Sequence, residues 1–151
     1  MLSRGRDIPA AAYLDAVLLY AEQDYEGAAS RLDRLITAMP GNAQARFLRG
    51  VAAYQLGNGE QARDDMERVV AQMPGNLRAR LLLAALLNGD GEPAEATRVL
   101  REGLNEDAQP DAGYLAALGQ SQLRTGDAER GLRNLQRAVE MAPDAAAIRT
   151  Q

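Results

Sequence analysis

Two copies of one phrase, Met39-Pro40-Gly41-Asn42 and Met73-Pro74-Gly75-Asn76, stand 34 residues apart and set the register of the chain. A third proline, Pro143, follows 69 residues after Pro74, which is two such periods and one residue more. A fixed period of this length indicates a stack of small helical units, because each unit buries its apolar face only against its neighbours. The pattern therefore favours a surface that holds other molecules over an enclosed pocket for chemistry.

Aligned at this period, the chain forms four rows, residues 9–42, 43–76, 77–111 and 112–145, of which the third is one residue longer. Apolar residues recur at helical spacing in two stretches of each row, which predicts two helices per row. Small residues recur at two positions where the paired helices are expected to cross closely: Ala16, Gly50, Ala84 and Gly119 at position 8, and Ala28, Ala62, Ala96 and Gly131 at position 20. Position 24 is apolar and larger in every row: Leu32, Met66, Leu100 and Leu135.

Helix starts and stops recur with the same period. Polar residues that accept backbone N–H bonds are the predicted N-caps: Asp24, Asn58 and Asp127 before second helices, and Asn42, Asn76 and Asp111 before first helices. In the third row Pro93 suits a first helical position instead. Proline at position 32 is predicted to end the second helix, except in the third row, where Ala108 stands.

Small residues at positions 8 and 20, a large apolar residue at 24 and proline at 32 of a 34-residue unit resemble the tetratricopeptide repeat family, over residues 9–145. The family's frequent Trp at position 4 is replaced by Ala12, Arg46, Arg80 and Leu115, and its frequent Leu at position 7 by Asp15 and Arg49 in the first two rows. The resemblance implies an all-α fold, a right-handed α-solenoid of four helical hairpins. Residues 1–8 would be an N-terminal extension, and residues 146–151 the start of a further helix.

Composition excludes several kinds of chemistry. All 17 basic residues are Arg, and the chain has no Lys, His or Cys, so we predict neither a catalytic triad nor a thiol nucleophile, and no metal or other cofactor. We therefore expect a protein that is not an enzyme. A net charge of −4 argues against a nucleic-acid partner. The longest apolar run, Leu81 to Leu87, is too short for a membrane span.

One acidic pair, Asp64-Asp65, invites comparison with a metal or acid–base site. Adjacent helical residues point about 100° apart, so the two carboxylates do not converge. We predict a solvated face formed with Arg63 and Arg68.

In tetratricopeptide arrays the first helices line an inner concave surface, chiefly through positions 2, 5, 9, 12 and 13. Carried onto this chain, the resemblance implies these partner-binding residues: Tyr13, Tyr20, Phe47, Val51, Tyr54, Arg78, Leu81 and Arg124. Tyr13 is in register with Phe47, and Tyr20 with Tyr54, which predicts an aromatic surface for a peptide or partner protein, with the two arginines orienting acidic groups. The same rings also suit packing between first helices. Tyr25 and Tyr114 are predicted to be structural.

The predicted function is a non-catalytic scaffold for protein–protein interaction. The alternative is a regulatory or substrate-docking arm of a larger enzyme. Self-association is a further prediction, through uncovered faces of the first and last hairpins, the latter carrying Leu132, Leu135 and Val139.

A narrower resemblance concerns the phrasing of residues 45–57 and 142–151. It is similar to bacterial repeat lipoproteins encoded near exopolysaccharide and PEP-CTERM sorting systems. That resemblance implies a periplasmic or envelope location rather than a cytoplasmic one, and we expect the native chain to be longer than 151 residues.

Overall fold

A computed structural model describes the backbone of residues 4–142 and the side chains of residues 9–142. This part of the chain forms eight α-helices and no strand. The helices are α1 (Arg4–Ala21), α2 (Tyr25–Ala38), α3 (Ala43–Gln55), α4 (Gly59–Gln72), α5 (Leu77–Gly89), α6 (Pro93–Glu102), α7 (Ala112–Arg124) and α8 (Ala128–Met141). Helix α1 begins within the predicted N-terminal extension, and the helix start predicted at 146–151 lies outside the described residues.

The chain divides between Met73 and Pro74 into two compact units. The N-terminal unit holds α1 to α4, and the C-terminal unit holds α5 to α8. In each unit the helices pack in chain order: α1 on α2, α2 on α3 and α3 on α4 in the first, and α5 on α6, α6 on α7 and α7 on α8 in the second. Each unit is thus two helical hairpins joined through the second helix of one and the first helix of the next.

The predicted helix starts are confirmed. Side-chain oxygens of the six predicted N-caps each accept a bond from a backbone N–H three residues on: those of Asp24, Asn42, Asn58, Asn76, Asp111 and Asp127. Helix α6 begins at Pro93 without a side-chain cap, as its sequence predicts.

The proline rule for helix ends is followed in the N-terminal unit. Helices α2 and α4 end at Ala38 and Gln72, two residues before Pro40 and Pro74. In the third row α6 is only 10 residues long and ends at Glu102, well before Ala108. Gly103 follows at a crowded point, where a Cβ would lie 2.7 Å from the Arg80 Cδ and would also meet the Tyr114 hydroxyl.

Close helix crossings occur where the small residues recur. Ala16 and Ala28 are fully buried in the first hairpin. In the last hairpin a Cβ on Gly131 would lie 2.8 Å from the Gly119 carbonyl oxygen, and one on Gly119 equally close to that of Gly131. These contacts leave no room for a side chain.

Helices α1, α2 and α3 share one buried apolar cluster in the N-terminal unit, most of it at the contact between α2 and α3. Its members are Ala16, Leu32, Leu35, Ile36 and Ala45, with Tyr13 and Leu48 packed at the edge. The cluster shows which positions of a second helix meet which positions of the next first helix.

Candidate functional site

Five of the eight predicted partner-binding residues lie on α1 and α3, two first helices that contact each other in the N-terminal unit. They are Tyr13 and Tyr20 on α1, and Phe47, Val51 and Tyr54 on α3. Tyr54 is the most accessible ring at 47% exposure, while Tyr13, Tyr20 and Phe47 are half-buried. None of the ten inner positions of these two helices carries a charge: Ala10, Tyr13, Val17, Tyr20, Ala21, Gln44, Phe47, Val51, Tyr54 and Gln55. The unit thus presents an uncharged aromatic surface, which we call the aromatic surface.

Two rings of the aromatic surface, those of Tyr13 and Tyr20, pack against other residues of the unit. Tyr13 packs against the cluster between α2 and α3. The Tyr20 ring meets the Tyr25 ring edge-on, with ring centres 5.1 Å apart and planes at 64°. This is the only close ring pair among residues 9–142, so Tyr20 and Tyr54 do not stack on each other. Tyr25 therefore has the predicted structural role, as the support of Tyr20.

The other predicted residues lie in the C-terminal unit. Arg78 is the second residue of α5 and Arg124 the last of α7, and both are exposed. Leu81 is half-buried on α5. No acidic side chain of the described residues lies within ion-pair distance of either arginine. The two cations are thus available to solvent or to a ligand.

Asn88 is an inner-surface residue of α5 that the sequence did not single out. Its Oδ1 atom is buried and has no hydrogen-bond partner within the described part of the chain. A buried acceptor without a donor costs free energy, about 1–3 kcal/mol when its pairing is lost. Its position twelve in the row, equivalent to Tyr20 and Tyr54, was the signal that could have identified it.

The prediction that Asp65 lies on a solvated face is wrong. Its side chain is fully buried, and both carboxylate oxygens accept bonds from Arg49, at 3.0 and 2.7 Å. The hydrogen bonds from Arg49 to Asp65 raise the pKa of Arg49, against the lowering effect of burial. Arg46 lies 3.7 Å away on the other side. Only Asp64 behaves as predicted, in an exposed pair with Arg68 at 3.2 Å.

Repeat positions explain this buried pair. Arg49 and Asp65 occupy positions 7 and 23 of the second row, and in the first row Asp15 and Arg31 occupy the same positions with the charges exchanged, 3.1 Å apart. The sequence could have indicated this pairing, because opposite charges stand 16 residues apart in both rows.

Arginine at position 4 also has a structural role. Arg46 and Arg80 are buried, and each donates to the carbonyl of the proline six residues before it, at 3.0 Å to Pro40 and 2.8 Å to Pro74. Arg80 also donates to the Val99 carbonyl at 2.7 Å. Each of these side chains ties the start of its first helix to the loop that precedes it, at a position where the family often has Trp.

Tyr114 is structural, as predicted. Its ring is 1% exposed, and its hydroxyl donates to the Leu100 carbonyl. Burial raises the pKa of Tyr114 to about 12.

A shallow depression of about 390 Å³ lies elsewhere in the C-terminal unit, between α6 and the α7–α8 turn. Arg98 on its wall already pairs with Glu95 and Glu102. Among residues 9–142, whose side chains the structure describes, no group of three acidic side chains is placed to hold a metal ion. Nor does any helix in this range have the length and apolar character needed to cross a membrane.

Solved structures with the same fold are numerous. MamA from Desulfovibrio magneticus RS-1 aligns over 90% of this chain and 76% of its own, at 21% identity and a TM-score of 0.76. A further MamA structure aligns over 97% and 85%, at 15% identity and a TM-score of 0.80. YrrB, described as a tetratricopeptide protein with an unusual peptide-binding site, aligns over 90% and 70%, at 19% identity and a TM-score of 0.74. The predicted all-α solenoid fold class is confirmed by these likenesses.

The sequence comparisons agree. No curated protein sequence matches this chain. One family model for the tetratricopeptide repeat matches residues 13–76 and 116–150, and a second matches residues 60–120. The chain belongs to the tetratricopeptide repeat family.

Proposed function

We propose that this chain is a non-catalytic scaffold that binds an extended peptide segment of a partner protein on the inner surface of its first helices. Family membership and the fold of its structural neighbours support a protein-interaction scaffold. The observation that carries the finer proposal is the aromatic surface of α1 and α3, with its half-exposed rings and its lack of charge. Tyrosine rings offer large, rigid contact area with a polar tip, which suits them to binding peptides.

The packing contacts that order two of the rings also favour peptide binding. Tyr20 is held by Tyr25, and Tyr13 by the cluster between α2 and α3. Side chains that are already ordered lose little rotamer entropy when a ligand arrives, so more of the contact energy appears as affinity.

The C-terminal unit contributes polar recognition in this proposal. Arg78 and Arg124 are exposed, and their guanidinium groups orient acidic side chains or a terminal carboxylate of the ligand. Leu81 adds apolar contact beside them. Taken by itself, the aromatic surface prefers apolar and aromatic side chains of a ligand, and the C-terminal unit prefers a ligand that carries negative charge.

The test uses peptides selected from a random displayed library on the full chain. Tyr20→Ala with Tyr54→Ala should weaken the selected peptides by about tenfold or more, because each ring removed takes apolar contact from the ligand. Helicity by circular dichroism should stay almost unchanged. Leu56→Ala with Met73→Ala, two exposed apolar residues outside the surface, is the matched control and should bind as the wild type does. Normal binding by the tyrosine double variant would rule out the aromatic surface as the site.

Charge can be tested separately. Arg78→Gln with Arg124→Gln should weaken acidic peptides and leave neutral peptides unchanged, with the difference shrinking as salt is raised. Equal losses for both kinds of peptide would contradict an orienting role for the two arginines.

We also propose that the chain does not bind nucleic acid and that it is located in the envelope. Absence of nucleic-acid binding is expected from the net charge of −4, and a filter-binding assay at low salt tests it.

The envelope location, with a role in exopolysaccharide machinery, rests on the sequence pattern of residues 45–57 and 142–151, and fractionation of the native source tests it. Detection only in the cytoplasmic fraction would exclude that location.

The alternative, a docking arm of a larger enzyme, predicts a catalytic domain in the same gene. Recovery of the full-length reading frame decides between this reading and a scaffold. Association between chains through the first and last hairpins is the other interaction that we propose, and it uses faces that the peptide does not contact.

A further inference from the structure

The first and last described helices expose apolar faces that are covered wherever the repeat recurs within a unit. On α1, Leu14 and Leu18 are each 60% exposed, whereas the same two positions on α3 hold the half-buried Leu48 and the fully buried Ala52. On α8, Val139 is 57% exposed, whereas Ile36 at the same position of α2 is 7% exposed. Exposed apolar faces of this kind mark interaction sites, so these two faces favour a covering partner.

The junction between α2 and α3 shows what such faces contact. There Leu32, Leu35 and Ile36 of the second helix pack with Ala45 and Leu48 of the next first helix. At the equivalent positions α8 carries Leu135, Ala138 and Val139, and α1 carries Ala11 and Leu14. We call Leu132, Leu135 and Val139 the α8 face, and Ala11, Leu14 and Leu18 the α1 face. Apart from Leu132 and Leu18, these residues stand at the positions that meet in the α2–α3 junction.

Charge at the edge of this interface is compatible as well. Across the α2–α3 junction, Asp33 at position 25 pairs with Arg49 at position 7, 3.0 Å apart. In α8 position 25 holds the neutral Gln136, and in α1 position 7 holds Asp15. A carboxylate at residue 136 would repel Asp15, but an amide can donate to it.

From these observations we infer that the covering partner is a second copy of this chain, bound head to tail, with the α8 face of one chain packed on the α1 face of the next. The contact is heterologous, so each chain uses two different faces and chains can add in series. The aromatic surface is not part of the contact, so this inference does not rest on peptide binding.

The experiment separates the two faces. Leu14→Glu with Leu18→Glu disables the α1 face, and Leu132→Glu with Val139→Glu disables the α8 face. All four residues are largely exposed, so folding should survive, and circular dichroism and thermal melting check this. Leu56→Glu with Met73→Glu is the matched control, since both residues are exposed and apolar but lie outside the two faces.

Sedimentation velocity over a wide concentration range gives the readout. The wild type and the control should increase in mass with concentration, while each face variant alone should self-associate about tenfold more weakly or worse, because carboxylates oppose an apolar contact. An equimolar mixture of the two face variants should form a dimer and no larger species, since it contains one intact pair of faces.

Three results would overturn the inference. They are a wild type that stays monomeric throughout, a face variant that associates like the wild type, and a mixture that remains monomeric. A wild type that becomes associative only after deletion of residues 143–151 would show that this segment of the same chain occupies the α8 face, and would equally overturn the proposal.

Discussion

In the N-terminal unit the second hairpin buries Asp65 against Arg49, whereas the same two positions of the first hairpin in the C-terminal unit hold the buried Leu83 and Val99. Both units nevertheless form hairpins from helices of the same family pattern. The contrast teaches that neither position requires a fixed residue type, but that a charged side chain buried there requires an opposite charge beside it. An ion pair meets that requirement only while both partners are present, because each charge is costly when buried alone.

The first hairpin adds a third case. Its pair, Asp15 and Arg31, is about half exposed on both sides, so solvent screens it and its contribution is small. Exchange of the two charges between rows one and two changes the residues and leaves the pairing intact. Burial, more than charge, therefore decides how much the unit depends on the pair.

The largest expected effect comes from breaking the buried pair. Asp65→Ala should lower the free energy of unfolding by about 3 kcal/mol, because Arg46 and Arg49 lose the buried Asp65 carboxylate and only Arg49 keeps another acidic partner, the exposed Asp33. Urea denaturation measures the loss, and hydrogen exchange should locate it in residues 4–73. The neighbouring Asp64→Ala removes only an exposed pair with Arg68 and should change stability by less than about 0.5 kcal/mol.

Replacing both partners sharpens the same test. Arg49→Leu with Asp65→Val transfers the C-terminal unit's residues into the N-terminal unit and should recover most of the stability lost in Asp65→Ala, since apolar replacement of a buried pair is often neutral or stabilising. A double variant as unstable as Asp65→Ala would show that the N-terminal hairpin depends on charge at these positions.

A second difference between the units lies at the helix crossings, where the first hairpin has Ala16 and Ala28 but the last has Gly119 and Gly131. Gly131→Ala should destabilise by about 1–3 kcal/mol, because the new Cβ would sit against the Gly119 carbonyl and force the helices apart. Gly89→Ala, in open space at the end of α5, is the control and should be neutral or stabilising by up to about 1 kcal/mol, as helix propensity predicts. Equal melting temperatures for the two variants would contradict a closer crossing in the last hairpin.

Much of the fold followed from periodic features of the sequence. Small residues, caps and prolines act locally, so each predicted its own helix start, crossing or stop, as at Asn42, Pro93 and Pro40. The early end of α6 could not be read this way, because Gly103 is constrained by Arg80 and Tyr114, which are distant in sequence. Where a helix ends thus depends in part on packing between rows, and the sequence of a single row does not show that packing.

The candidate site was predictable by position and less so by environment. Register placed Tyr20 and Tyr54 on inner faces of first helices, but the support of Tyr20 by Tyr25 depends on how the chain turns between α1 and α2. Asp65 was mistaken for a surface residue because its neighbour Asp64 is one, and only the comparison of rows reveals its partner Arg49. Paired positions in successive rows therefore carry information that composition and helix period do not.

The smallest expected effect at neutral pH concerns the buried Tyr114 hydroxyl of the C-terminal unit. This group is neutral, in contrast to the charged pair of the N-terminal unit. Tyr114→Phe removes the hydroxyl that donates to the Leu100 carbonyl and should cost about 1 kcal/mol. Burial raises the pKa of Tyr114 from 10.0 to about 12, so folding favours the neutral phenol, whose stabilisation is complete below pH 10 and is lost as the pH rises through about 12. Urea denaturation at about pH 9 and about pH 11 should show the wild type losing its advantage over Tyr114→Phe as the phenol ionises, and hydrogen exchange should place the change in residues 74–142. A constant difference between the two proteins across that range would mean that the buried hydroxyl does not couple ionisation to the stability of this unit.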